Sequence, residues 1–154
     1  MAAAATPSFR AAVVADLPFL IALRKTTMTE VCAKHGQVLS EDEHRQRVEF
    51  RLDSAAIIEV DSQPVGLVKL TQDGTTWTIE QFQILPEHQG RGLGTLVLQA
   101  VIADARASGA LLRLSVLKQN AAARLYARLG FRTLAESANT YKMTFIVSES
   151  PGAR

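Results

Sequence analysis

The stretch from Ala55 to Leu117 constrains the fold more than any other, because its hydrophobic period changes several times within it. AAIIEV (55–60) and VGLVKL (65–70) are short branched runs separated by Ser62-Gln63-Pro64, which predicts two strands and a turn. Asp73-Gly74 marks a second hairpin turn, and a longer strand is expected from Thr75 to Leu85. Residues Thr95 to Ala107 then repeat at helical spacing and stop at Ser108-Gly109, after which LLRLSVL (111–117) returns to a strand. Strands joined by tight turns pair antiparallel, whereas a strand-helix-strand step within one sheet is a right-handed parallel crossover. A chain that carries both kinds of connection forms a mixed sheet.

The flanks extend this pattern. Phe9 to Val14 reads as a first strand. Asp16 before Leu17-Pro18 looks like an N-cap with proline in the first turn, and Leu17, Leu20, Ile21 and Met28 recur at helical spacing until Lys34-His35-Gly36. Ser40-Glu41-Asp42-Glu43 fits a capping box, which predicts a second, more polar helix to about Leu52. Beyond 117, Asn120 caps a short helix, AAARLYARL. Gly130 ends that helix with Phe131 packed behind it, and Phe131 to Ala135 and Thr140 to Val147 close the chain as strands. The expected class is α/β (mixed α+β): one mixed central sheet, order β-αα-βββ-α-β-α-ββ, with helices on both faces. No repeat, linker or low-complexity tract interrupts it, so one domain is expected over 9–147, between flexible tails at 1–8 and 148–154. Monomer and homodimer are both open, and a dimer would use an edge strand at 140–147.

Composition excludes several classes of function. A net charge of +2 demands neither a nucleic-acid partner nor a membrane. No apolar run approaches a membrane span, and MAAAATPS lacks the basic start and apolar segment of a secretory leader, so a cytoplasmic protein is expected. Cys32 is the only cysteine and reads as packing in an apolar helix. His35, His44 and His88 have no metal-ligand spacing, so no metal is expected.

Within the long strand, Trp77 and Ile79 are apolar at odd positions, whereas Phe82 and Ile84 are apolar at even ones. Either the faces slip at a β-bulge near Glu80-Gln81, or both faces are covered and the alternation carries no information. The strand runs into ILPEHQGRGLGT (84–95), where Gly90, Gly92 and Gly94 precede a helix. A helix start leaves backbone N–H groups without partners and carries partial positive charge, and glycine lets a ligand come close. Together these form a cradle for a phosphate or pyrophosphate, to which Arg91 can add charge. The segment lacks the lysine of a P-loop, and neither Gly90 nor Gly92 begins a Gly-x-Gly-x-x-Gly dinucleotide fingerprint.

What fits is Gln89-Gly90-Arg91-Gly92-Leu93-Gly94, which resembles the coenzyme A pyrophosphate motif, Gln/Arg-x-x-Gly-x-Gly/Ala, of the GNAT superfamily of N-acetyltransferases. FQILPEHQGRGLG resembles that superfamily's fourth strand and turn, and NAAARLYARLGF (120–131) resembles its later Asn-x-x-Ala-x-x-x-Tyr-x-x-x-Gly-Phe signature. Two motifs in the right order, about 30 residues apart, are hard to obtain by chance. The resemblance covers about 57–135 and extends to the order of elements.

The resemblance implies acetyl-CoA as co-substrate and direct transfer of its acetyl group to a primary amine through a ternary complex. Amides of Gln89, Gly90, Arg91, Gly92, Leu93, Gly94 and Thr95 would hold the pyrophosphate. The backbone of Phe82 and Ile84 would pair with the pantetheine arm, with the Ile84 N–H polarising the thioester carbonyl. Asn120 would contact the coenzyme as well as capping its helix. Tyr126, at the motif position, would give a proton to the departing sulfur, and Glu80 is the candidate base, acting through a water. Solvated readings remain for Glu80, Arg124 and Arg128, and a packed aromatic is the other reading of Tyr126. Acceptor choice would lie in the first two helices and the last turn, about 24–45 and 136–140, where Arg24, Glu30, His35, Glu41, Asp42 and Glu43 occur. The acceptor is a small-molecule or protein amine. The second functional reading is a sensor module that binds an acyl-CoA without turnover.

Overall fold

The computed structural model describes residues 6–145. Seven strands are linked in the order β1-β2-β3-β4-β5-β7-β6. They are β1 (Ser8–Ala11), β2 (Ala55–Val60), β3 (Gln63–Asp73), β4 (Thr76–Ile84), β5 (Leu111–Leu117), β6 (Arg132–Glu136) and β7 (Thr140–Phe145). The helices are α1 (Leu17–Lys34), α2 (Glu41–Glu49), α3 (Leu93–Ala107) and α4 (Ala122–Leu129). The class is the mixed α/β expected: β1–β2, β2–β3, β5–β7 and β6–β7 are antiparallel, and β4–β5, joined through α3, is parallel. The tail expected at 148–154 and the last two residues of the strand expected to end at Val147 lie outside the described residues. So does most of the tail expected at 1–8, of which Ser8 already belongs to β1.

Chain contacts divide the molecule into two compact units. Among the described residues, one comprises 6–69 and 81–94, and the other comprises 70–80 and 95–145. In the first, α1 lays Leu17, Leu20, Ile21 and Leu23 into a core shared with Val48 of α2, Ala55 and Ile57 of β2 and Leu67 of β3. The Ser40 capping box forms: its hydroxyl accepts the Glu43 amide at 3.1 Å, and the Glu43 carboxylate accepts the Ser40 amide at 2.9 Å. Asp16 precedes α1 as expected but does not cap it. Its carboxylate accepts the Val13 amide at 2.8 Å and two hydrogen bonds from the Arg10 guanidinium, which also reaches Glu59. The β2–β3 turn is Asp61-Ser62, both at positive φ, and Gln63-Pro64 already belongs to β3. Lys69 is fully buried yet satisfied, its ammonium donating to the carbonyls of Arg47, Val48 and Phe50 at the end of α2.

Gly66 of β3 sets how closely β4 can approach. A Cβ there would stand 2.5 Å from the Gln83 carbonyl oxygen and 3.2 Å from side-chain carbons of Ile58 and Ile84.

In the second unit, β4 pairs with β5 from Thr76↔Leu111 to Ile79↔Leu114, and β7 lies between β5 and β6. The strand at 140–147 is therefore not a sheet edge. The hairpin partner β6, exposed along its length, takes that place. α4 ends at Gly130, at φ +111°, where a Cβ would stand 2.8 Å from the Phe145 ring. Phe131 behind it makes edge-on contacts with Tyr126 and with Phe145.

Two outcomes follow. Gly66→Ala forces β3 and β4 apart and should destabilise the protein by about 1–3 kcal/mol in urea unfolding; wild-type stability in that variant would contradict the close approach. The Asp16 carboxyl is held below its ordinary range, first by Arg10 and then by the Val13 amide, against the opposing effect of burial. A lowered carboxyl adds stability that is in place above its unfolded pKa, about 4, and lost as pH falls through its folded value. Asp16→Asn should therefore be less stable than wild type at neutral pH, and the gap should close on acidification below about pH 4, read from unfolding midpoints.

Candidate functional site: a glycine turn at a helix start

β4 ends at Ile84, Pro86–His88 make one 3₁₀ turn, and α3 opens at Leu93. Gly90 and Gly92 both take positive φ, +75° and +81°, a conformation that costs a side-chain-bearing residue about 1–2 kcal/mol. Apart from the adjoining residues, no atom lies within 4 Å of where a Cβ would project from either glycine, so the turn is open at both. Gly92 stands immediately before α3 and has no side chain to cap it, and the first amides of any helix lack intrahelical acceptors. Leu93 is buried and anchors the helix start, whereas Arg91 and Gly92 are exposed. The Gln89 side-chain amide donates to the Ile84 carbonyl at 2.8 Å, fastening the turn to the end of β4. The Leu85 amide donates to the Val65 carbonyl at 2.8 Å, which holds that end against β3. This arrangement presents backbone donors and partial positive charge to an anion.

The first unit thus brings together Phe82, Ile84, Gln89, Gly90, Arg91, Gly92, Leu93 and Gly94. Ile84 is buried and Phe82 half-buried. The slip of faces considered for β4 does not appear in its burial: Trp77, Ile79, Gln81 and Gln83 are all buried, so the odd positions stay inside to residue 83. The glutamines' polarity disguised this in the sequence. The side-chain carbonyl oxygens of both are buried without a hydrogen-bond partner among the described residues.

The second unit holds Glu80, Thr95, Asn120 and Tyr126. Pairing of β4 with β5 stops at Ile79↔Leu114, although β5 runs on to Leu117. Glu80 is exposed and accepts a hydrogen bond from the Thr71 hydroxyl at 2.8 Å. The Asn120 side chain accepts the amide of Ala122, the first residue of α4, at 2.9 Å, so the cap expected of it is present. Tyr126 is buried, and burial pushes its phenol above the ordinary value, which keeps it protonated throughout the neutral range. Arg124 and Arg128 are exposed. Among the described residues there is no group of three or more His, Cys, Asp or Glu side chains placed to hold a metal, and no helix long and apolar enough to cross a membrane.

The sequence model of the acetyltransferase (GNAT) family matches residues 20–131. No curated protein matches significantly. Among solved structures, the PaiA N-acetyltransferase of Thermoplasma acidophilum, crystallised with coenzyme A, superposes with a TM-score of 0.73 at 16% identity over 92% of this chain and 99% of that one. The ribosomal-protein-S18-alanine N-acetyltransferase of Escherichia coli gives 0.70 at 18% identity, over 97% of this chain and 99% of that one. The N-acetylglutamate synthase of Neisseria gonorrhoeae, complexed with coenzyme A and N-acetyl-glutamate, gives 0.68 at 20% identity, over 94% of this chain and 36% of that one. At such identities the structural likeness is one of fold; the family match, which spans most of the sequence and includes the glycine turn, is what shows that this chain belongs to the GNAT acetyltransferase family.

Proposed function

We propose that this protein transfers the acetyl group of acetyl-CoA to a primary amine, directly and in a ternary complex. The observation that carries the reading is the bare, left-handed glycine turn at the start of α3, whose open donors suit a pyrophosphate. In this reading the amides from Gln89 to Thr95 hold the pyrophosphate, with Arg91 as an added charge. The backbone of Phe82 and Ile84 aligns the pantetheine arm, and Asn120 contacts the coenzyme. The Ile84 N–H would donate to the carbonyl oxygen as it gains charge, a contribution of a few kcal/mol in other acyl transfers. The carbonyl of Ile84, in the following peptide plane, is fixed by the Gln89 side chain.

Transfer forms a bond from the amine nitrogen to the acetyl carbon and breaks the bond from that carbon to sulfur. Two protons then need handling. Glu80, through a water, would accept the one the amine loses, and the Tyr126 phenol would donate one to the sulfur. Burial keeps that phenol protonated, as a donor must be. A cytoplasmic, metal-independent enzyme is in keeping with this chemistry.

Calorimetry with coenzyme A, acetyl-CoA, ATP and NAD tests the ligand. Binding of coenzyme A and acetyl-CoA alone is expected, and binding of ATP or NAD in their place would contradict the reading. Thiol release with a panel of amines separates an enzyme from an acyl-CoA sensor.

Gly92→Val should weaken coenzyme A binding by about tenfold or more, since a branched residue resists this φ and covers the amides. Gly74→Val, at φ +61° in the β3–β4 turn, carries similar strain and should leave binding unchanged. Equal binding by the Gly92 variant and wild type would remove the cradle. Tyr126→Phe should lower turnover by roughly 10²-fold with coenzyme affinity retained, measured where chemistry limits the rate; undiminished turnover would end its role as acid.

A further inference from the structure

The first unit buries a second cation, and unlike Lys69 this one lacks compensation. Arg24 lies on the inner stripe of α1 and is 4% exposed. Its Nε is buried without a hydrogen-bond partner, and among the described residues its guanidinium enters no ion pair. On α2, His44 is 2% exposed and its Nδ1 is likewise buried without a partner. The two belong to one level of the helix pair: Lys25, next to Arg24, bridges to Glu41 at 2.7 Å, and Glu41 lies one turn before His44 on α2. That bridge is exposed and occupies the Glu41 carboxylate. Inside, the charges that act on Arg24 and His44 are mostly of one sign. Burial first, then Arg47, lowers the Arg24 pKa, with only Cys32 opposing. Burial first, then Arg24, Lys25 and Arg47, lowers that of His44, with only Glu41 opposing. The lowered pKa favours the neutral imidazole, which keeps one N–H to give.

A buried guanidinium with no counter-ion is costly, and a packed apolar side chain of similar volume is commonly as stable or more so. The residue is explained if an anion completes the site. A single positive charge in a planar fork, with one neutral imidazole beside it, balances a monoanion with two coplanar oxygens. A phosphate dianion would leave charge over, and backbone amides suited to phosphates are concentrated at the glycine turn.

We propose that the buried junction of α1 and α2 receives one carboxylate, with the Arg24 guanidinium as its counter-ion and the His44 imidazole as a second donor, and that this carboxylate is carried by the amine to be acetylated. The second half rests on the transfer reading above. A two-substrate transfer leaves only the acceptor without an assigned anchor, because the phosphates of the donor go to the glycine turn.

The test sets each proteinogenic L-amino acid beside its carboxamide and its des-amino acid, with wild-type protein, Arg24→Met and Arg24→Gln. The readouts are thermal unfolding and thiol release from acetyl-CoA. At least one amino acid should raise the wild-type melting temperature where its carboxamide does not, and both variants should lose that shift. The same amino acid should be acetylated with a KM about tenfold or more below that of its carboxamide, and the variants should bring the two KM values together. No discrimination between acid and amide in either readout, or discrimination that survives both substitutions, would overturn the proposal. A des-amino acid that stabilises wild type without competing against the amine would assign the carboxylate to a separate effector and overturn the second half. Stabilisation by an amino acid with no thiol release from any amine would uphold the carboxylate site while contradicting acetyl transfer.

Discussion

A helix cannot satisfy its own first amides, and the placing of that deficit organises one end of this protein. At α2 a side chain removes it, with Ser40 and Glu43 exchanging hydrogen bonds in a closed box. At α3 the residue before the helix is Gly92, which has nothing to cap with, and it and Gly90 both take left-handed backbone. The same fold thus closes one helix start and leaves another open. The open one follows β4 and is tied to it by Gln89 on the Ile84 carbonyl, so donors at the turn and donors on the strand keep a fixed relation. Preorganised donors of this kind need little rearrangement when a ligand arrives.

A similar contrast runs through the buried cations of the first unit. Lys69 is buried more completely than Arg24, yet it presents no puzzle, because the carbonyls at the end of α2 surround its ammonium. It closes α2 from outside the helix, as Ser40 closes the other end from within. Arg24, on α1, and His44, on α2, each leave a buried polar atom without a partner. The first unit thus satisfies one buried cation with three carbonyls and gives the Arg24 Nε no hydrogen-bond partner among the described residues.

Much of this was legible in the sequence where local chemistry decides. The bounds of β5 and α1, the Ser40 box, the Gly130 stop with Phe131 behind it and the Asn120 cap all follow from residue type and spacing. The errors arise where a local signal competes with a longer-range one. Ser62-Gln63-Pro64 reads as a turn, but Pro64 sits in β3 opposite Glu59, next to a register shift, where a missing N–H is tolerated. The turn itself uses Asp61 and Ser62, neither of them glycine, at positive φ. Along β4 the alternation leaves a bulge near Glu80-Gln81 and two covered faces equally open, because polar Gln81 and Gln83 give no sign of the burial that both have. The place of β7 between β5 and β6 could not be read from chain order, since either order of that hairpin satisfies the same local rules. Nor does an arginine in a helix announce its burial: Arg24 follows Leu20, Ile21 and Leu23 on the core stripe, and only the three-dimensional packing shows it lacking a partner.

Amide-resolved titration with coenzyme A tests the central claim most directly. In 15N–1H spectra of the full chain, the amides from Gly90 to Thr95 should show the largest shifts, with saturation at a single affinity. Those amides standing unmoved at saturation, while signals elsewhere respond, would contradict the account.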